Sequence, residues 1–327
     1  MQTITAEYEI ITPMFLGDAD QMINSIPASS VKGALRFWWR ALYWGEIRNQ
    51  QKNNNTALRV LHEQEALLFG GTAYDNEVRK NQRQEQIAQS RVLLQIQQPK
   101  DLKTISNWPT DSNYLGFGLW KTKTTPQREA IKEGVLLTLR IVFRNLSPIQ
   151  QQQLDKTLTV FGLLGGLGSR SRRAFGSVAL IRINDSAYPC ITTQDVYIQR
   201  LKDIFIDITI TKYLPPYTAF SSKSKMVLLT NSQANNARAC HAKIGKWYKE
   251  YRDEIKGDIR KVFGLPLEGI SDSRRASPLF FHIHPIGNQY IGVAFLLPSE
   301  IFHPDHNDID YQLIENLLKG FPEIKLL

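Results

Sequence analysis

The segment FGLLGGLGSRSRRAFGSV, residues 161–178, constrains this chain more than any other. Gly162, Gly165, Gly166 and Gly168 carry no Cβ, which leaves the backbone open to close approach by a ligand. Ser169 and Ser171 add hydroxyls, and Arg170, Arg172 and Arg173 place three positive charges within four positions. The glycines follow a predicted helix running from Pro148 to Leu164, with Pro in its first turn. They are therefore not the strand-to-helix turn of a dinucleotide-binding fold. No Lys-Ser or Lys-Thr pair follows them, so a nucleotide-hydrolysing phosphate loop is excluded. Glycines that admit a sugar-phosphate backbone, with arginines to neutralise it, point to RNA or DNA. The plainer alternative is a flexible basic connector.

A second segment, IPASSVKGALRFWWRALYW at 26–44, reads as an amphipathic helix. Val31, Ala34, Leu35, Trp38, Ala41 and Leu42 follow the 3,4 spacing of a buried stripe. Lys32, Arg36 and Arg40 recur every four residues beside it. Ser29 or Ser30 is the expected cap, and a helix N-terminus with hydroxyls and a lysine on its first turn suits a phosphate. Trp39, Tyr43 and, from the glycine segment, Phe175 are candidates to stack on bases, although each residue type more often packs in a core. A solvated basic face explains the helix equally well from periodicity alone.

In SRRASPLFFHIH, residues 273–284, Arg274 and Arg275 precede a predicted strand. Phe280, His282 and His284 share one face of it; Leu279, Phe281 and Ile283 share the other. Histidines two apart could serve as acid and base or as metal ligands, yet spacing supplies no third ligand, and a solvent-facing strand accounts for them. His303 and His306 beside Asp305 and Asp308 read as a turn, and Asp18 with Asp20 as local hydrogen-bond acceptors. No cofactor or metal is expected.

Charge sharpens the picture. The chain has 40 Lys plus Arg against 31 Asp plus Glu, a net +9 over 327 residues. The excess is local: residues 21–60 hold six basic residues and one acid, and residues 223–263 hold ten against four. With 42% hydrophobic residues the composition is that of a globular protein. No apolar run is long enough for a membrane span. Cys190 and Cys240 are too few for a disulfide framework, and a cytoplasmic protein is expected. Further strands are predicted over 3–11, 91–96, 135–143, 177–183, 279–284 and 290–297, and further helices over 57–69 and 308–318. Residues 76–89 read as an exposed connection and 221–239 as polar and mobile. A turn-rich stretch at Asn184–Thr193 suggests a boundary, giving two α+β halves at 1–185 and 186–327.

In order along the chain, TPMFLG, IPASSVKGALRFWWRAL, GGLGSRSRRAFGSV and RRASPLFF resemble the RAMP superfamily of CRISPR proteins. The FWWR, LFGG and SPL features are most similar to the first-subunit family of type III-B Cmr effector complexes. The resemblance implies two ferredoxin-like domains related to the RNA-recognition fold. It also implies a non-catalytic subunit whose partners are guide RNA, single-stranded target RNA and other complex subunits. The matching positions become RNA contacts: Ser29, Ser30, Lys32, Gly33, Arg36 and Arg40; Gly165, Gly166, Gly168, Ser169, Arg170, Ser171, Arg172, Arg173, Phe175 and Gly176; and Arg274 with Arg275. The alternative within the same superfamily is a metal-independent endoribonuclease that processes guide precursors.

Overall fold

The computed structural model describes residues 2–17, 22–71, 90–106, 114–119, 122, 127–267, 269–306 and 309–325. Strand β1 (Gln2–Ile10) alternates as the sequence does, burying Ile4, Ala6, Tyr8 and Ile10. Helices α1 (Ala28–Asn49) and α2 (Asn54–Phe69) follow. The Asn53 side chain accepts from Thr56 N–H at 3.0 Å to start α2, and Gly70 ends it. Next come β2 (Val92–Gln97), the short β3 (Thr104–Ile105) and β4 (Ala130–Ile131), then β5 (Leu136–Phe143). Helix α3 (Pro148–Leu164) opens with a full capping box, Ser147 and Gln150 each satisfying the other's backbone N–H. Strands β6 (Val178–Ile183) and β7 (Ser186–Ala187) complete an antiparallel sheet of order β2-β5-β1-β6-β7.

Helix α4 (Gln194–Phe205) leads to β8 (Lys225–Ala234), α5 (Ala237–Glu254) and a 3-10 turn over Asp258–Phe263. A ribbon of β9 (Leu265–Leu267) and β10 (Ser271–Arg275) precedes the hairpin of β11 (Leu279–Ile286) and β12 (Gln289–Leu296). The hairpin turns at Gly287-Asn288, where Gly287 takes φ +55°. Helix α6 (Gln312–Leu318) comes last. The second sheet has the order β11-β12-β8, and residues 322–324 lie along the far side of β8. There Leu228 N–H donates to Pro322 O at 3.1 Å and Ile324 N–H to Met226 O at 2.8 Å.

Two expectations change here. The 221–239 stretch is not a mobile loop: Met226–Leu229 is a fully buried apolar run that makes β8 the strand between β12 and the C-terminal residues. Its polar flanks hide that short run from a composition window. The serine cap of α1 is also absent. Pro27 is the N-cap, and its carbonyl accepts from Ser30 N–H at 3.0 Å, so both serines already lie within the first turn. The 76–89 connection lies outside the described residues.

The core joins the two sheets. One cluster packs Tyr8, Trp38 and Phe161 with Phe280 and Phe295; a second packs Phe15 and Phe175 with Tyr248 and Phe281. Among the described residues no helix is long and apolar enough to cross a membrane. Glycines on α1 mark its two environments. A Cβ on Gly45 would stand 1.9 Å from Thr209 O, whereas one on Gly33 would meet nothing within 4 Å. Gly45→Ala is therefore expected to cost ~1–3 kcal/mol by overpacking, and Gly33→Ala to gain up to ~1 kcal/mol of helix propensity. Urea denaturation of the two variants measures both signs.

Candidate nucleic-acid interface

After α3 ends, the glycine loop folds back between the continuation of β1 and the start of β11. Ser169 N–H donates to Phe15 O at 2.8 Å, and Gly176 N–H to Pro13 O at 2.9 Å. Leu167 N–H donates to Gly176 O at 3.0 Å, and Phe281 N–H on β11 to Arg172 O at 3.0 Å. This geometry gives the glycines a different role from the expected one. A Cβ on Gly168, at φ +85°, would lie 2.6 Å from Phe15 O; one on Gly176, at φ +61°, would lie 2.1 Å from Leu167 O. Gly165 likewise faces Phe161 O at 2.3 Å, and Gly162 faces the Leu180 side chain. The missing side chains make room for the protein's own backbone, and a ligand cannot use that space. Of the loop glycines, Gly166 lines an open cleft.

The arginines divide by partner. Arg170 is exposed and donates to Phe117 O at 2.5 Å. Arg172 donates to Ser277 O at 2.6 Å and lies over the rings of Phe280 at 4.4 Å and Phe37 at 5.5 Å. Arg173 donates to Phe263 O at 2.9 Å and packs 4.8 Å from the Tyr248 ring, so it braces the second core cluster. Arg275 reaches Thr218 and Ser299 hydroxyls at 3.1 Å each, and Arg274 is exposed. Among the described residues, none of the five has a carboxylate within 4.0 Å. Burial, then neighbouring Arg275 and Arg173, lowers Arg172 to about 9; burial also lowers Arg170 and Arg275. Arg172 and Arg275 are thus partly desolvated cations with no carboxylate partner among the described residues, an arrangement that a nearby anion would stabilise.

The basic stripe on α1 is held differently. Arg36 and Arg40 both donate to one oxygen of Glu65 on α2, Arg40 at 2.9 Å. Glu65 is buried, while Arg36 and Arg40 stay 30% and 34% exposed. One carboxylate thus anchors two guanidiniums that still reach solvent. Lys32 donates to Ser90 Oγ at 3.3 Å, and its pKa is lowered by burial and by Arg36. Ser29 and Gly33 are exposed and Ser30 is half-buried. The proposed stackers are withdrawn: Trp39, Tyr43 and Phe175 are buried, Trp39 edge-on to Phe69 and Phe175 against Phe15 and His241.

Two clefts open on either side of the loop. One, of about 370 Å³, is polar and lined by Gly118, Leu119, Gln127, Arg128, Ser169 and Arg170. Arg128 donates to Ser169 Oγ within it. The other, of about 260 Å³, is lined by Ala34, Phe37, Trp38, Leu164, Gly166, Ser171, Arg172 and Phe280. Arg128 and Glu65 are not readable from the motifs because each sits far along the chain from the one it completes; Phe37 lies inside the FWWR feature but off the 3,4 stripe, so periodicity does not single it out.

The histidines of β11 do not face solvent. His282 Nδ1 lies 3.0 Å from Gly165 O, and His282 Nε2 lies 3.4 Å from His284 Nδ1. Both rings are buried, His284 against Tyr197. Burial lowers His282 to about 3 and holds His284 well below the usual range, with the neighbouring His282 adding to the latter. His241, with Nε2 3.0 Å from Arg173 O, is lowered to about 4, again by burial. Neutral, enclosed imidazoles fasten the loop to the second sheet and are out of reach of a substrate. Asp18, Asp20 and Asp308 lie outside the described residues.

Comparison with known proteins fits this geometry. A RAMP superfamily model matches residues 7–179, from β1 through the glycine loop. The chain is 28% identical over 319 residues to the CRISPR system Cmr subunit Cmr1-1 of Pyrococcus furiosus, covering 89% of this chain and 86% of that protein. It is 27% identical over 181 residues to Cmr1-2 of the same organism, covering 53% of this chain and 91% of that one. In overall structure it matches the apo crystal structure of Cmr1 from P. furiosus, with TM-score 0.64, 22% identity and 99% of each chain covered. It also matches a chain in the cryo-EM structure of the type III-B Cmr-beta complex bound to cognate target RNA, with TM-score 0.59, 14% identity, and 97% and 98% covered.

Two outcomes are expected from these contacts. The unfolded chain takes up histidine protons below about pH 6.5, while the buried rings stay neutral to far lower pH. Stability should therefore hold above pH ~6.5 and fall as the pH drops towards 3, by up to ~1.4 kcal/mol per pH unit for each histidine. His284→Phe should flatten the pH dependence of the urea midpoint; an unaltered slope would remove that histidine from the account. Glu65→Gln should cost ~1–3 kcal/mol of stability yet bind single-stranded RNA more tightly, with a salt slope up to ~0.7 steeper. Titration at two salt concentrations reads that change.

Proposed function

The chain belongs to the RAMP superfamily, and from that membership we propose that it is a non-catalytic RNA-binding subunit of a type III-B Cmr effector complex in antiviral defence. The observation that carries the RNA-binding role is the set of loop and β10 arginines that have no carboxylate partner among the described residues. A phosphate backbone supplies the counter-charge they lack, and backbone recognition lets one protein hold guides of any sequence. Similarity to Cmr1-1 over most of the chain supports the choice of complex, with guide RNA, single-stranded target RNA and the other complex subunits as partners in a cytoplasmic ribonucleoprotein. The contacts we assign are Ser169, Arg170, Ser171 and Arg172 in the loop, Arg128 beside it, Arg274 on β10, and Lys32, Arg36 and Arg40 on α1.

Strand order supports two ferredoxin-like domains, at 1–185 and 186–327. In the first, β1, β2, β5 and β6 follow one another as strand-helix-strand-strand-helix-strand in the order β2-β5-β1-β6. In the second, β8, β11, β12 and residues 322–324 repeat that scheme, with the last strand reduced to a few bridging residues. A non-catalytic role is favoured because the strand histidines proposed as acid and base are sealed beneath the loop.

Replacing Arg128 and Arg170 together by Ala should weaken binding to every single-stranded RNA alike. The salt slope should shrink by roughly 1.4, at ~0.7 per phosphate contact. A slope that does not move would take the polar cleft out of the interface. Incubation with repeat RNA should give stoichiometric binding without new ends; discrete fragments would instead establish the endoribonuclease.

A further inference from the structure

We propose that the cleft between α1, the glycine loop and β11 seats one unpaired nucleobase of the bound RNA. The proposal rests on the RNA-binding reading and deepens it. Phe37 and Phe280 stack on one another, 28° from parallel with centroids 5.8 Å apart, and form one aromatic surface of the cleft, which Ala34 and Leu164 also line with apolar atoms. Elsewhere the large aromatics of α1 are buried, but Phe37 remains part-exposed at the mouth of this cleft. The cleft's polar side chains are those of Ser171 and Arg172. Arg172 spends one nitrogen on Ser277 O and lies over the Phe280 ring, and its remaining N–H donors can serve an acceptor on a ligand in the cleft.

A planar ligand with apolar faces and hydrogen-bonding edges fits this lining better than a phosphate alone, whose charge Arg172 can meet but whose water the aromatic surface would strip without replacing. The volume of about 260 Å³ lies just below the ~300–1,000 Å³ of pockets for drug-sized molecules, which suits a single base. The loop also separates the two halves of a nucleotide. Ser169 and Arg170 line the polar cleft, while the next two residues, Ser171 and Arg172, line the aromatic one. A strand crossing this ridge lays phosphate on one side and turns a base into the other. Aromatic stacking is sequence-tolerant, so the seat anchors the position of a guide or target without reading it.

Fluorescence anisotropy with full-length protein tests this, using a short single-stranded oligoadenylate RNA and an abasic RNA of the same length. Wild type should prefer the base-bearing strand about fivefold or more, as expected for stacking of one base. Phe37→Ala removes the stacking face, and Ala34→Phe fills the cleft while leaving every native ring in place. Both variants, shown folded by thermal melting, should lose the preference while keeping the abasic affinity and the salt slope. A preference that survives in both variants, a loss shared equally by the two RNAs, or no preference in wild type would overturn the base seat and leave RNA binding intact. Failure of wild type to bind either RNA would overturn the RNA-binding reading and the seat with it.

Discussion

The close passage of three backbone segments at the glycine loop holds this molecule together. Residues 13–16 and 165–177 approach so tightly that carbonyl oxygens occupy the space where Cβ atoms would be, and the start of β11 hydrogen-bonds to the same loop. Through that crossing the first sheet gains contact with the second: Phe281 N–H bonds Arg172 O, His282 reaches Gly165 O, and His241 reaches Arg173 O. The loop is thus rigid at its backbone, and its side chains are displayed from a fixed frame. Binding a flexible polymer on a preformed surface avoids the entropic cost of ordering the protein at the same time.

Charge is distributed with equal economy. On α1 a single buried carboxylate shared between Arg36 and Arg40 positions two cations that remain in solvent contact. At the loop, carbonyls and aromatic faces orient the guanidiniums, and among the described residues no carboxylate pairs with them. Hydrogen bonds to carbonyl oxygens fix direction while leaving net charge undiminished, which a salt bridge cannot do. The two arrangements separate residues that look alike in the sequence.

Much of the fold was legible because local signals agreed with it. Helix Pro148–Leu164 was readable from its proline and glycines, β1 from alternation, and the β11–β12 hairpin from Pro-Ile-Gly-Asn. Strand β8 was not, since its buried apolar run of four, Met226–Leu229, sits inside a polar stretch and its partners lie sixty to a hundred residues away. At the interface, the arginines were recognised but their division into bracing and displayed groups was not. Arg173 and Arg172 differ only in what tertiary packing puts beside them. Phe175 was mistaken for a stacking surface because hydrophobic residues next to basic ones read the same whether they face RNA or a core. Arg128 has no neighbouring motif, so only folding reveals that it joins Ser169.

The second sheet has a consequence for how copies and neighbours can meet. Residues 322–324 occupy one outer margin at β8, and the glycine loop occupies the other at β11 through Arg172 and Arg173. At Val227 on β8 and Phe281 on β11 the chain's own residues already sit on the margins, so a strand adding there would have to displace them. That favours recognition by a neighbour in a larger particle through side chains and loops. Such contacts can be retuned by point substitution, so the order of subunits along the particle can be specified residue by residue without disturbing the fold.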